Sequence, residues 1–320
     1  MSTLCIGVDP GNGFFKTRSA VIKTGVAEYK EAPPIETPYT VRIGKNYYVC
    51  NSGRGPLKRD KTIDETYWYL TLAGIGAELK NRKIVIPTGE RQDIILAAGL
   101  PLTYPKEDRL LMRKYLMRGQ VNFWFERTHY KINIKDVMIF PQGYAAIMTQ
   151  INDFMNEPIV NIVDIGSWTV DVLTLNRGIP NMDRARSLEY GVTRCIDEII
   201  EQVRRKTKKS ITQEQIEAVL WPSDEINIKI PDNICDEIKY QAGKYIANVV
   251  NKLIEAGFDV FSVYTVFIGG GAYLVEQYFN QADLFYPLYI PDVKSNALGN
   301  EIAAEAAIKA MALKKKKNRG

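Results

Sequence analysis

Twice along the chain an apolar run ends in an aspartate, breaks into a glycine-bearing turn and resumes as a second strand. The first copy reads Leu4-Cys5-Ile6-Gly7-Val8-Asp9, then Pro10-Gly11-Asn12-Gly13, then Phe14-Phe15-Lys16-Thr17. The second reads Ile159-Val160-Asn161-Ile162-Val163-Asp164, then Gly166-Ser167-Trp168-Thr169, then a strand through Leu175. Glycine and proline punctuate both copies at the same place. A duplicated hairpin with an acid just before its glycine predicts two domains built on one plan. With 320 residues, 46% of them hydrophobic, the chain is long enough to bury two cores.

The stretches between the hairpins alternate strand and helix patterns. Residues 39–50 read as a hairpin turning at Gly44-Lys45-Asn46, and 64–80 as a helix with Tyr67, Leu70, Thr71, Gly74 and Ala77 at helical spacing. A buried strand is expected over 91–98, an amphipathic helix over 105–117, and paired strands over 121–130 and 131–140. Pro141-Gln142-Gly143 then turns the chain into a helix over 144–154. In the second half, helices are expected over 192–206, 211–220 and 234–256. A strand over 263–268 runs into Gly269-Gly270-Gly271, and an alanine-rich helix over 300–313 closes the chain.

Several chemistries are excluded early. Four cysteines without a Cys-x-x-Cys pair, and a single histidine, His129, leave no disulfide scaffold, zinc finger or histidine-based triad. No apolar run approaches the roughly 18 residues of a membrane span, and the first residues lack the pattern of a signal peptide. A reducing, cytoplasmic home is the plain expectation. The net charge of +5 comes from 42 Lys and Arg against 37 Asp and Glu, but Lys314, Lys315, Lys316, Lys317 and Arg319 supply five of the positive charges. Without that tail the body is neutral, which argues against a DNA-binding surface. The basic groups at 204–209 and at Arg54, Lys58, Arg59 and Lys61 read as a solvated helix end and an outer loop, with contacts to a neighbouring subunit or adaptor as the alternative.

A nucleoside triphosphate needs backbone N–H groups around its phosphates, which favours glycine turns. It also needs carboxylates for the hydrated magnesium ion, and a hydrolase adds a polar group that aims water. The two acid-bearing hairpins, the glycine run and Lys16 fit that set. Neither a Gly-x-x-x-x-Gly-Lys-Ser/Thr loop nor a Gly-x-Gly-x-x-Gly turn is present.

In these residues the chain resembles the actin-like ATPases. Residues 7–16 resemble their phosphate 1 motif, 163–171 phosphate 2, and 267–272 the adenosine motif. Residues 140–146 and 297–303 resemble the two connecting helices. All five stand in family order, and the nearest likeness is to plasmid-segregation actins of the ParM type. The resemblance implies an α/β, two-lobed actin-like ATPase fold of duplicated ribonuclease-H-like domains, spanning 1–157 and 158–320. Small subdomains are expected at about 32–85 and 192–262, and helix 300–313 packs back on the first domain through Ala303, Ala306, Ala307 and Ala310. It implies ATP or GTP with Mg2+ as ligands, with Asp9 and Asp164 holding the hydrated metal. Gly11, Asn12, Gly13 and Lys16 would meet the β- and γ-phosphates, and Gly166, Ser167 and Thr169 the phosphates from the other lobe. Gln142 would direct the attacking water, Gly269, Gly270 and Gly271 would pass the ribose and α-phosphate, Tyr273 would neighbour the base, and Gly191 would open the helix beside the sugar.

The resemblance further implies slow hydrolysis coupled to head-to-tail filaments that segregate plasmids. A small DNA-binding, ParR-like adaptor on the plasmid centromere would make the DNA contact in their place. The family's second glycine of phosphate 2 is Ser167 here, whose hydroxyl could replace a backbone contact, and the bulky Trp168 that follows is expected to pack against the domain. The amide of Gln142 suits orientation of water more than base catalysis. A sugar- or acetate-kinase-type phosphotransferase, a ribonuclease-H-like nuclease and a membrane-associated cytoskeletal actin are the competing readings.

Overall fold

The computed structural model describes residues 2–35, 37–101, 103–148, 150–222, 229–279, 284 and 286–317. Arg319 of the basic tail lies outside them, as do the side chains of Lys315, Lys316 and Lys317. The chain forms two compact units, residues 1–150 with 294–320, and residues 151–293.

The first unit holds strands β1 (Leu4–Pro10), β2 (Phe14–Thr17), β3 (Val21–Lys23), β4 (Val26–Tyr29), β5 (Thr40–Ile43), β6 (Asn46–Cys50), β7 (Gln92–Leu100), β8 (Gly119–Phe125) and β9 (Thr128–Pro141), with helices α1 (Thr66–Asn81) and α2 (Lys106–Leu116). The strands make one sheet in the order β3-β2-β1-β7-β9-β8-β5-β6-β4. Its two end strands are consecutive in sequence, joined only by Thr24 and Gly25. Three residue steps span at most about 11 Å, whereas the ends of a flat nine-stranded sheet would lie about 38 Å apart. The sheet is therefore rolled. α1 packs against β1, β2, β4, β5, β6 and β8, which explains why the helix is apolar nearly all round: Tyr67, Trp68, Leu70, Leu72, Ile75 and Leu79 are all buried. β5 and β6, within the stretch read as a small subdomain, are continuous with this sheet.

The second unit contains α3 (Ile151–Phe154), β10 (Val160–Ile165), β11 (Val170–Asn176), β12 (Ile179–Leu188), α4 (Val192–Thr207), α5 (Gln213–Leu220), α6 (Asp232–Glu255), β13 (Tyr264–Ile268), α7 (Ala272–Tyr278) and β14 (Pro287–Ile290). Its sheet runs β12-β11-β10-β13-β14. The first two pairings are antiparallel and the last two parallel. The half-sheet β3-β2-β1-β7-β9 of the first unit has the same sequence of directions. Even the register repeats: Asp9 stands opposite Lys16, and Asp164 opposite Asp171. The duplication in the sequence is thus a duplication of a five-stranded sheet.

Helix α8 (Ser295–Lys317) returns to the first unit and packs on β1, β7 and the turn at 145–147. The contact is backbone against backbone. A Cβ at Gly7 would fall 2.0 Å from the Ala297 carbonyl oxygen, and one at Gly299 would fall 1.8 Å from that of Ala145. Ala303 and Ala304 are buried here. Ala306 and Ala310 are exposed, so the alanine face expected to pack is shorter than the sequence suggested. Gly299→Ala is expected to destabilise the first unit by about 3 kcal/mol, because two backbones would have to part; urea unfolding checks it.

Two buried glutamates fix the same helix to α1. Glu301 accepts from Gly7 N and from the guanidinium groups of Arg82 and Arg18, at 3.2, 2.6 and 3.1 Å. Glu78 accepts from Ser19, Thr17 and Arg82. Burial alone pushes the Glu78 carboxyl up, but the hydrogen bonds from Ser19 and Thr17 and the Arg82 charge outweigh it and hold it below the ordinary 4.5. A carboxylate whose folded value is depressed contributes stability above 4.5 and loses it as pH falls through the lower folded value. Acid unfolding of Glu78→Gln is therefore expected to be less steep in this range than that of the unaltered chain.

Two expected elements are corrected. The helix over 144–154 is a 3-10 turn at Ala145–Ile147 and the single turn α3, with Thr149 outside the described residues. The Ala145 carbonyl faces Gly299 and takes its bond from Met148, three residues on, so no regular helix starts there. The β8–β9 hairpin turns at Glu126 and Arg127, not at 130–131. Glu126 takes φ 53°, which sets Phe123, Phe125, Tyr130, Ile132 and Ile134 all inward.

Candidate functional site

The first hairpin ends in a turn whose carbonyls are all tied back. The Tyr67 hydroxyl, from the first turn of α1, lies 3.1 Å from the Gly11 carbonyl oxygen and 3.3 Å from Asn12 Oδ1. Thr24 Oγ1 donates to the Asn12 carbonyl at 2.7 Å, and Thr24 N to that of Gly13 at 3.4 Å. In a trans peptide the N–H points opposite to the C=O, and no cis bond occurs among the described residues. Fixing the Gly11 and Asn12 carbonyls toward Tyr67 and Thr24 therefore turns the N–H groups of Asn12 and Gly13 to the other side. Consecutive N–H groups aimed one way form an anion-binding concavity. Gly11 has no room for a side chain, since a Cβ would fall 2.6 Å from the Phe14 carbonyl oxygen.

Asp9, next to last in β1, lies beside this turn and is buried. Its Oδ2 accepts from Lys16 Nζ at 2.6 Å and its Oδ1 from Gln142 Nε2 at 2.6 Å. A carboxylate only accepts, so the Gln142 amide must present its NH2 to Asp9. Its Oε1, on the other arm of the planar amide, is then directed away as an acceptor. Gln142 follows the end of β9, and its backbone N–H is bonded to the Leu100 carbonyl at the end of β7. Helix α8 holds both groups from behind. Asn296 Oδ1 accepts from Gly143 N at 2.9 Å, and Asn300 Nδ2 donates to the Val8 carbonyl at 2.9 Å.

The second hairpin repeats the device with other partners. The carbonyls of Gly166, Ser167 and Trp168 accept from the backbone N–H groups of Val192, Thr193 and Gly191, at 3.0, 2.8 and 3.0 Å. By the same planarity, the N–H groups of Ser167, Trp168 and Thr169 face away from α4. The turn thus keeps its outward N–H groups with a side chain at Ser167. Gly191 caps α4, and its missing Cβ would sit 2.3 Å from the Trp168 carbonyl carbon, so its absence of a side chain is explained by the turn beneath it. Asp164, at the end of β10, is buried, and Thr169 Oγ1 donates to Asp171 at 2.9 Å.

Gly269 and Gly271 are accounted for by the same strand end. Gly269 has φ +82°, and a Cβ there would meet Asp164 Oδ1 at 2.7 Å; a Cβ at Gly271 would meet Ile165 Cγ2 at 2.1 Å. The Gly270 carbonyl accepts from Trp221 Nε1. Tyr273, expected beside a base, packs half-buried against the second core. His129 is exposed, close to the Trp124 ring.

A magnesium ion carried by phosphate oxygens and water needs few protein ligands. Among the described residues no cluster of three or more His, Cys, Asp or Glu side chains could cage a metal. Asp9 has both oxygens engaged, which suits contact through water better than direct ligation. Each acidic strand end, taken within its own unit, therefore suits a hydrated ion better than a bare one. Sequence reading missed Tyr67, Thr24 and Asn296 as supports of the site. No local pattern marks them, because each acts on a turn at least eleven residues away.

The sheets and hairpins define the class: the chain has the actin-like fold. Residues 162–281 match the family model for the C-terminal part of archaeal, MreB-like actin homologues. No curated protein matches the chain in sequence. Among solved structures, Ta0583, an archaeal actin homologue, superposes with a TM-score of 0.72 at 19% identity over 95% of this chain and 100% of its own; it has also been solved in complex with ADP. A 15-stranded ParM filament from Clostridium botulinum gives 0.71 at 17% identity, over 96% of this chain and 100% of that one. ParM of Bacillus thuringiensis with AMPPNP gives 0.67 at 14%, over 95% and 98%.

Proposed function

We propose that the chain is a nucleotide-dependent, self-assembling actin-like ATPase whose filaments segregate plasmid DNA. One observation carries the reading: both acid-bearing hairpins end in turns whose carbonyls are tied back and whose N–H groups face outward together. Asn12 and Gly13 with Lys16, and Ser167, Trp168 and Thr169, meet the phosphates of ATP or GTP. Asn12 contributes its backbone, since its Oδ1 accepts from Lys58 N. Asp9 and Asp164 hold Mg2+ through water. Bound there, the ion would offset the charge of the phosphates. Gln142, its NH2 held by Asp9, offers Oε1 to a water and orients it. An amide is a poor base, so hydrolysis is slow.

The structural neighbours support assembly, since one is a ParM filament, and nucleotide binding, since another ParM carries AMPPNP. Head-to-tail contacts use unlike surfaces and propagate without closing. A neutral body is consistent with a ParR-like adaptor holding the plasmid centromere in the cytoplasm. No described helix is long and apolar enough to cross a membrane.

Ultracentrifugal pelleting with Mg-ATP, Mg-GTP or Mg-ADP tests the reading. Triphosphate should move the chain into the pellet, and ADP should not. A chain that stays in the supernatant while an added sugar or acetate speeds its ATP turnover would be a kinase instead.

A further inference from the structure

The supports of the first turn lie outside every motif named above. Thr24 is buried and is one of the two residues that join the end strands of the rolled sheet. Its Oγ1 gives its proton to the Asn12 carbonyl at 2.7 Å and accepts from Gly55 N at 3.2 Å. Tyr67 is also buried, and its hydroxyl gives its one proton to the Gly11 carbonyl at 3.1 Å, with Asn12 Oδ1 at 3.3 Å beside it. Burial pushes its phenol well above the ordinary value, so the hydroxyl keeps its proton as a donor. Asn12 Oδ1 is completed by Lys58 N at 3.2 Å, and the Lys61 ammonium lies 5.8 Å from the Tyr67 ring.

We propose that Thr24 and Tyr67 are positioning residues of the phosphate site, setting the direction of the Asn12 and Gly13 N–H groups by holding the carbonyls before them. The inference rests on the nucleotide reading of that turn. If either hydroxyl is removed, a carbonyl is released and its peptide can rotate, taking the outward N–H with it. The consequence is selective. Ligands that place a β- or γ-phosphate on the turn lose affinity, while a ligand with only an α-phosphate does not.

Calorimetric titration of the full chain with Mg-AMPPNP and with AMP tests this. The variants are Thr24→Val, which keeps shape, Thr24→Ser, which keeps the hydroxyl, and Tyr67→Phe, which keeps the ring. Thr24→Val and Tyr67→Phe should each raise the Kd for Mg-AMPPNP about five- to tenfold, the worth of one hydrogen bond. The Kd for AMP should stay within about twofold, and Thr24→Ser should restore the unaltered value. A general loss of packing would instead weaken both ligands alike. Equal losses for the two ligands, no loss at all, or no rescue by serine would overturn the assignment while leaving the nucleotide reading standing. If the unaltered chain binds neither ligand, the nucleotide reading fails and takes the assignment with it.

Discussion

Asp9→Asn is expected to lower nucleotide-dependent phosphate release by about a hundredfold. The reason is a count of donors. Lys16 Nζ and Gln142 Nε2 both donate to Asp9, one to each oxygen, at 2.6 Å. An asparagine offers one oxygen and one NH2 group, so either lysine or glutamine must face a donor. Gln142 would then lose the contact that directs its oxygen, or Lys16 would lose its counter-charge in a half-buried setting. The same change removes a negative charge where the hydrated Mg2+ is proposed to sit. Phosphate release over a range of Mg2+ concentrations checks it, and an unaltered rate would remove Asp9 from the mechanism.

Gln142→Ala should separate assembly from hydrolysis. The side chain touches Asp9 but holds no part of either turn, so nucleotide should still bind and filaments should still form. Phosphate release should fall by about a hundredfold, because water is no longer oriented. Filaments should then persist where those of the unaltered chain decay. If the variant both assembles and disassembles normally, Gln142 has only a structural part at the end of β9.

The sequence carried the fold well where its pattern was duplicated. The strand-acid-turn unit at Asp9 and Asp164 became two hairpins in identical register, because register follows from the turn and from which face is buried. What it hid were relations across the chain. The rolling of the first sheet depends on β3 and β4 being its opposite ends, and nothing near Thr24 announces that. α1 read as a helix on its spacing, but the spacing did not show that it is buried almost all round because the sheet wraps it. The glycines were legible as glycines but not in their reasons. Gly191, Gly269 and Gly271 leave room for neighbouring backbone and for Asp164 and Ile165, so much of their requirement is met before any ligand arrives. Tyr67 and Thr24 were invisible as parts of the site, since their hydroxyls reach back across 56 and 12 residues to Gly11 and Asn12.

The central claim is that nucleotide drives assembly and hydrolysis reverses it. The most direct measurement follows 90° light scattering and phosphate release together after Mg-ATP is added to the full chain. Scattering should rise first, then decay as phosphate accumulates, with Gln142→Ala holding the plateau. Phosphate release without any change in scattering, at every protein concentration, would contradict the account.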